Sequence, residues 1–317
     1  MGLVLVARHT ILNEQVAVKL LRSDDPTRPI DPVQIERFHR EARAAARLKG
    51  VHIARVMDVG SLDDGSPYIV MEHVHGANLS ETLKRRGPLP AEEATDYVLQ
   101  ACEGLAEAHA LGIVHRDIKP SNLMLTQHID GAPLVKILDF GIAKATGAEV
   151  ATLTGSSVML GSPSYMSPEQ IRDARDVDVR SDIWSLGVTL YELLSGRLPF
   201  EAFTPAGLIA RISVDPPIEL RDHTPGLPAD LEAITLRCLE KQAEDRFPDV
   251  LSLASALRPF ASFRGTQTID RIARVLQAAG TSNPPAPAAG SSPRRTPPRS
   301  PPPTPPQGAQ TLSQEAH

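Results

Sequence analysis

The sequence contains no apolar run approaching the roughly 18 residues of a membrane span, so no membrane partner is expected. It also lacks an excess of basic charge. Lys and Arg number 33 against 38 Asp and Glu, a net charge of −5, which argues against a nucleic-acid partner held by bulk charge. Cysteine is scarce: Cys102 and Cys238, each in an apolar helical context, read as buried thiols in a reducing compartment. The opening Met1-Gly2-Leu3-Val4 stretch is apolar but short, has no basic leader and runs into Arg8, so it does not read as a signal peptide. Val6 stands where a myristoylation pattern needs Ser or Thr. No internal repeat is visible. Together these absences predict a soluble, cytoplasmic protein.

What is present suits a globular chain of about two domains or lobes: 317 residues, 41% hydrophobic and 22% charged. Proline is uneven, with 11 of 29 falling in residues 281–317. The folded part is therefore expected to end near residue 280, before a disordered Pro/Ser-rich tail carrying Arg294, Arg295 and Arg299. Residues 3–7 and 16–21 are short β-branched runs flanking Asn13-Glu14 and read as a hairpin. Residues 33–48 read as an amphipathic helix, with apolar positions at 35, 38, 42, 45 and 48, ended by Gly50. Strands are expected at 53–59 and 68–74. From residue 76 helices dominate, roughly at 79–86, 91–110, 182–195, 205–213, 228–239 and 248–260, with short strands at 122–125 and 135–138 and a weaker helix at 266–279. Strands first and helices second predict an α+β chain of two lobes.

Four segments carry chemistry. Lys19 lies in VAVK (16–19), where a lysine taken alone would simply snorkel to solvent. Glu41 follows 22 residues later on the helix. HRDIKPSN (115–122) joins a helix to a strand, and Pro120 keeps it from being helical, so Asp117, Lys119 and Asn122 can converge from a loop. Asp139 opens DFG (139–141) at the end of an apolar strand.

In this order and spacing, these residues resemble the protein kinase family. The resemblance continues through GSPSYMSPEQ (161–170), DVRSDIWSLGVTLYELLSGRLPF (178–200) and EDRF (244–247), and covers about residues 2–262. Lys119, two after Asp117, is similar to the Ser/Thr class. The style of MSPEQ, SDIWSLG and DRF looks like the bacterial Ser/Thr kinases related to the eukaryotic enzymes. The resemblance implies a small β-rich N-lobe (1–75), a larger helical C-lobe (76–262) and a short helical extension (263–280) before the tail (281–317).

It also implies jobs for named residues. ATP and Mg²⁺ are the implied reactant and ion, and a protein Ser or Thr the acceptor. Lys19 would pair with the α/β-phosphates and be held by Glu41. Asp139 and Asn122 would hold Mg²⁺, and hard oxygen ligands suit it. Asp117 would orient the acceptor hydroxyl and take its proton, with Lys119 neutralising the γ-phosphate. Met71 is at the gatekeeper position. The Glu72 carbonyl and Val74 amide would meet the adenine edge, with Val4 and Ala17 above and Met124 below. Glu169 with Arg246 matches a structural ion pair, Asp182 a buried brace for the catalytic loop, and Trp184 reads as core. Arg116 would receive a phosphate on the activation segment, whose candidates are Thr152 and Thr154, with self-association for autophosphorylation left open.

The sequence departs from the family at its start. Of the glycine-rich loop only Gly2, its third glycine, is present, and the first strand is missing with the rest. Two alternatives stand: a start encoded further upstream, or a truncated chain that is a catalytically impaired kinase-like interaction protein. Ser162 replaces the usual Thr and keeps its hydroxyl; Ser167 replaces Ala and is small enough to fit. A small-molecule kinase is a weaker reading, because the long 139–169 loop with its SPE segment suits a peptide platform.

Overall fold

The computed structural model describes residues 2–21, 30–139, 163–173 and 176–282. The first lobe is an antiparallel sheet of four strands, β1 (Gly2–Arg8), β2 (Gln15–Leu21), β3 (Val56–Ser61) and β4 (Pro67–Glu72), in the order β1-β2-β4-β3. The β1–β2 turn closes through His9 and Asn13, and Asn13 takes a φ of 56°, a left-handed conformation that Asn tolerates better than most residues. One helix, α1 (Pro32–Ala45), covers the sheet. Asp31 caps it by accepting from the Val33 amide, and Pro32 at its first turn loses no hydrogen bond.

Phe38 and Ala42 of α1 pack on Ile69 of β4, so the 3.6-residue apolar spacing buries the face that the sequence marks. The helix stops at Ala45 rather than 48, and Leu48 is buried just beyond it. β3 begins at Val56 rather than 53, because Ile53 instead forms a parallel bridge with Ile137. β4 ends at Glu72, leaving Val74 in a linker.

A short β5 (Ala77–Asn78), which the sequence reading lacked, pairs with β6 (Leu123–Gln127) and then β7 (Pro133–Ile137) in a second antiparallel sheet. The helices follow as α2 (Leu79–Arg86), α3 (Ala91–Ala110), α4 (Pro168–Arg172), α5 (Val179–Ser195), α6 (Pro205–Val214), α7 (Leu220–His223), α8 (Ala229–Cys238), α9 (Val250–Leu257) and α10 (Phe263–Ser282). The four-residue α7 and five-residue α4 are too short to show a helical period in sequence. The core lies between α3 and α5, where Leu99, Leu105, Ile183, Trp184 and Leu186 are fully buried. Trp184 stacks on Phe200 at 5.8 Å. Cys102 and Cys238 are free and buried, and burial pushes both thiols up, Cys238 to about 12. No helix among the described residues is long and apolar enough to cross a membrane.

Candidate active site

Strand register places the first half of the site. Antiparallel partners share a sheet face: Val4 faces Lys19, Lys19 faces Ile69, and Ala17 faces Met71. Val4, Ala17, Lys19, Ile69 and Met71 therefore lie on one face, the one on which α1 packs. Gly2 pairs with Leu21 at the far end of β1, which is an edge strand among the described residues. A small cavity on this face is lined by Lys19, Ala42, Val56, Met71 and, from the other side, Asp139. Lys19 Nζ donates to Asp139 Oδ1 at 3.1 Å, bridging the β2 lysine and the residue two beyond β7. Glu41 falls on α1, but its side chain lies outside the described residues.

The second half is the loop between α3 and β6. Asp117 is gripped from two sides. Lys119 Nζ donates to both carboxylate oxygens (2.9 and 3.1 Å), and Asn122 Nδ2 donates to the Asp117 carbonyl (2.8 Å) and to Oδ2 (3.0 Å). With both amide protons of Asn122 spent there, its Oδ1 remains as the available acceptor. Lys119 and Asp117 are each about one-fifth exposed, so the group is reachable but not freely solvated.

His115 ties the two halves together. Its Nδ1 accepts from the Asp117 amide (3.2 Å), which leaves Nε2–H to donate to the Leu138 carbonyl (3.0 Å) next to Asp139. That pattern needs a neutral ring. Burial lowers the His115 pKa and outweighs the nearby carboxylates that would raise it. Leu138 N also donates to the Asn122 carbonyl at 2.8 Å. Asp117, Asn122 and Asp139 are thus fixed relative to one another through backbone.

Asp182 of α5 is completely buried and accepts from His115 N (2.9 Å), Arg116 N (2.8 Å) and His109 Nε2 (2.8 Å). Burial pushes its carboxyl up, but the His109 bond and the His115 backbone amide outweigh that and hold it below the usual range. These bonds support backbone strain. Arg116 (φ 68°) and Asp139 (φ 46°) both sit in the left-handed region, which costs a non-glycine residue about 1–3 kcal/mol. Besides Asn13, they are the only non-glycine residues with positive φ among the described ones, and both flank the site.

The segment after residue 162 is clamped to this loop. Ser167 caps α4 in a reciprocal capping box with Gln170, and Gln170 Nε2 donates to the Arg116 carbonyl at 2.9 Å. Glu169 makes a two-pronged pair with Arg246 (2.7 and 2.8 Å) and accepts from Ser181 Oγ (2.6 Å), with both charged side chains almost fully buried. Burial pushes the Glu169 carboxyl up, but Arg246 and Ser181 outweigh it and bring it to about 2.

A depressed carboxyl stabilises the fold above its ordinary range, near 4.5, and loses that contribution as pH falls towards 2. The effect is on the order of 3 kcal/mol. We expect Arg246→Ala to cost about 3–5 kcal/mol, since it strands a buried carboxylate, and to remove the acid-dependent step between pH 4.5 and 2 in urea denaturation. An unchanged acid profile in the variant would show the pair to be incidental.

The remaining residues expected at the adenine edge lie on β4, the linker after it and β6. Glu72 ends β4 and Val74 lies in the linker after it. Met124 of β6 is paired with Lys136, whose Nζ reaches Glu72 at 3.0 Å, so Met124 shares the sheet face turned to the linker. Phe140, Gly141, Thr152, Thr154 and Ser162 lie outside the described residues. His115, Gln170 and His109 were missed as positioning groups. For His115 the signal was its fixed place before Arg-Asp; for the other two no local pattern marks them. A cavity of about 770 Å³ lies elsewhere, between the starts of α3 and α10, and its lining includes none of Lys19, Asp117, Asn122 or Asp139.

A sheet lobe offering one lysine is thus set against a helical lobe whose loop presents a carboxylate, an amide and a second lysine. The chain belongs to the protein kinase family, with residues 1–254 matching the protein kinase domain. The serine/threonine-protein kinase PknB of Mycobacterium leprae is 38% identical over 255 residues, covering 80% of this chain and 40% of that protein. The chain thus spans about 40% of the length of the curated relatives it matches. The crystal structure of the Mycobacterium tuberculosis PknI kinase domain is similar with a TM-score of 0.63 at 30% identity, covering 82% of this chain and 92% of that one. Rad53 1–466 in complex with AMP-PNP is similar with a TM-score of 0.63 at 25% identity, covering 82% and 61%.

Proposed function

We propose that the chain transfers the γ-phosphoryl group of ATP to Ser or Thr hydroxyls of proteins. The observation that carries this reading is the double grip on Asp117 by Lys119 and Asn122, tied through His115 and Leu138 to Asp139 opposite Lys19. Asp117 is placed to orient an acceptor hydroxyl and take its proton as the oxygen bonds to phosphorus and ADP leaves. Lys19 and Lys119 supply positive charge to the phosphates, and Met71, Ala17, Val4 and Met124 bound the base, with the Glu72 carbonyl and Val74 amide at its edge.

The donors suit Mg²⁺. Asp139 and Asn122 Oδ1 offer hard oxygens, and no cluster of three or more His, Cys, Asp or Glu that could hold a metal exists among the described residues. An ion held by one carboxylate, one amide oxygen and phosphates is how magnesium is usually bound. When bound it neutralises phosphate charge. The impaired-kinase alternative has no observation in its favour, since every charged position of the cleft is retained.

A regulatory reading belongs to the same site. The Arg116 guanidinium has a buried Nη1 without a hydrogen-bond partner. Burial lowers its pKa, Asp182 raises it, and the neighbouring Arg40 of α1 lowers it again. Two arginines close enough to repel one another suit a phosphate of charge about −1.5 to −2. We place that phosphate on Thr152 or Thr154, added by the chain itself or by a second copy in the cytoplasm. Mass spectrometry after incubation with Mg-ATP is expected to find phosphate on one of these, and Thr152→Ala/Thr154→Ala to show reduced transfer to an added peptide. Both threonines unmodified in an active sample, with full activity of the double variant, would overturn it.

A further inference from the structure

α10 lies beyond the residues that match the kinase domain, yet its side chains reach into the framework of the cleft. Ile269 and Ile272 are fully buried in the main core with α3. Ser262, just before α10, donates through both its amide and its hydroxyl to Asp96 of α3, and its Oγ accepts from Gly265 N at 3.1 Å. A side chain at Gly265 would collide with Asp96, so glycine sets how closely the two helices approach. Six residues further, Arg271 Nε donates to both oxygens of Glu103 at 2.9 Å, while its Nη2 donates to Thr268 Oγ1 at 2.8 Å.

Glu103 faces away from α10 as well. His52 Nε2 lies 3.4 Å from Glu103 Oε2, and His52 Nδ1–H donates to the Val135 carbonyl at 2.8 Å. His52 is buried in the 46–55 connection between α1 and β3. Its carbonyl accepts from Ile137 N (2.8 Å), and Ala54 N donates to the Ile137 carbonyl (2.9 Å). Ile137 is two residues from Asp139. The same connection is fastened at its other end by Glu107 of α3, which accepts from the Lys49 and Gly50 amides at 2.6 and 2.7 Å.

Burial alone pushes the Glu103 carboxyl up, and His52 and Arg271 together reverse that. Remove Arg271, and among the described residues a mostly buried carboxylate keeps only His52 beside it. The connection carrying α1, and with it the end of β7, then loses part of its anchor.

We infer that Arg271 is a positioning residue for the nucleotide cleft, acting through Glu103 and His52 on the α1–β3 connection and on the β7 end that precedes Asp139, so that α10 is a working part of the kinase fold. The inference deepens the proposed activity and rests on it for the kinetic readout alone; backbone exchange reads the coupling whether or not the chain is an active kinase.

The test uses the full chain with Arg271→Ala, Arg271→Lys and, as a control on the neighbouring exposed pair, Arg258→Ala, which breaks the contact to Asp270. Hydrogen exchange is expected to rise in Arg271→Ala at residues 49–54 and 135–138 but not in α9, with Arg271→Lys intermediate and Arg258→Ala unchanged. The KM for ATP is expected to rise roughly 2- to 30-fold, the range seen for residues coupled at a distance, with the KM for peptide unchanged. Exchange that rises only in α10, or uniformly over the chain, would overturn the inference. If exchange responds as expected but no sample transfers phosphate, the coupling stands and the proposed activity fails.

Discussion

Asp117→Asn is expected to lower kcat for phosphoryl transfer by about 10²–10⁴-fold, the usual contribution of a positioned general base, with the KM for ATP changed little. The amide keeps the shape of the carboxylate and one acceptor oxygen, so a bond from Lys119 or Asn122 can persist. It cannot take a proton. Because Asp117 is partly exposed and its carboxylate satisfied locally, the fold should survive, and melting temperature provides the check. A variant that melts normally and retains near-normal kcat would remove Asp117 from the reaction.

The second large effect concerns the opposite wall. Lys19→Ala removes the cation that we propose meets the phosphates, and Asp139→Asn removes a carboxylate paired with it. Each is expected to lower kcat/KM for ATP by about 10²–10³-fold, as for loss of one preorganised charge-stabilising group. The pattern should differ between them. Asp139→Asn should shift the Mg²⁺ requirement to higher concentration, whereas Lys19→Ala should leave it in place. Steady-state kinetics across a magnesium series distinguishes the two. Equal magnesium dependence would mean that Asp139 does not serve the ion.

Much of this site was legible because it is written in short, contiguous segments. HRDIKPSN puts Asp117, Lys119 and Asn122 within five residues of one another, and a loop held by Pro120 has few ways to separate them. The β1–β2 hairpin and the helices α2 and α3 were legible for a similar reason: β-branched runs and apolar periodicity are local. What was not legible depends on contacts distant in sequence. Ile53 looked like the start of a strand, but its backbone is claimed by Ile137, so β3 starts three residues later than expected.

The left-handed φ values of Arg116 and Asp139 run against local preference and are explained only by what surrounds them. Asp182, 66 residues away, holds the Arg116 amide, while His115 meets the carbonyl preceding Asp139. The segment 266–279 read only as a weaker helix, yet α10 runs from Phe263 to Ser282 and buries Ile269 and Ile272 on α3. Its stability comes from that packing more than from its own sequence.

The most direct measurement is transfer of label from γ-labelled ATP by the full chain in Mg²⁺, followed by identification of the modified amino acid. Label is expected on phosphoserine or phosphothreonine, dependent on magnesium and nearly absent with Asp117→Asn. A chain that binds Mg-ATP but transfers no label, or one whose Asp117→Asn variant labels its target equally well, would contradict it.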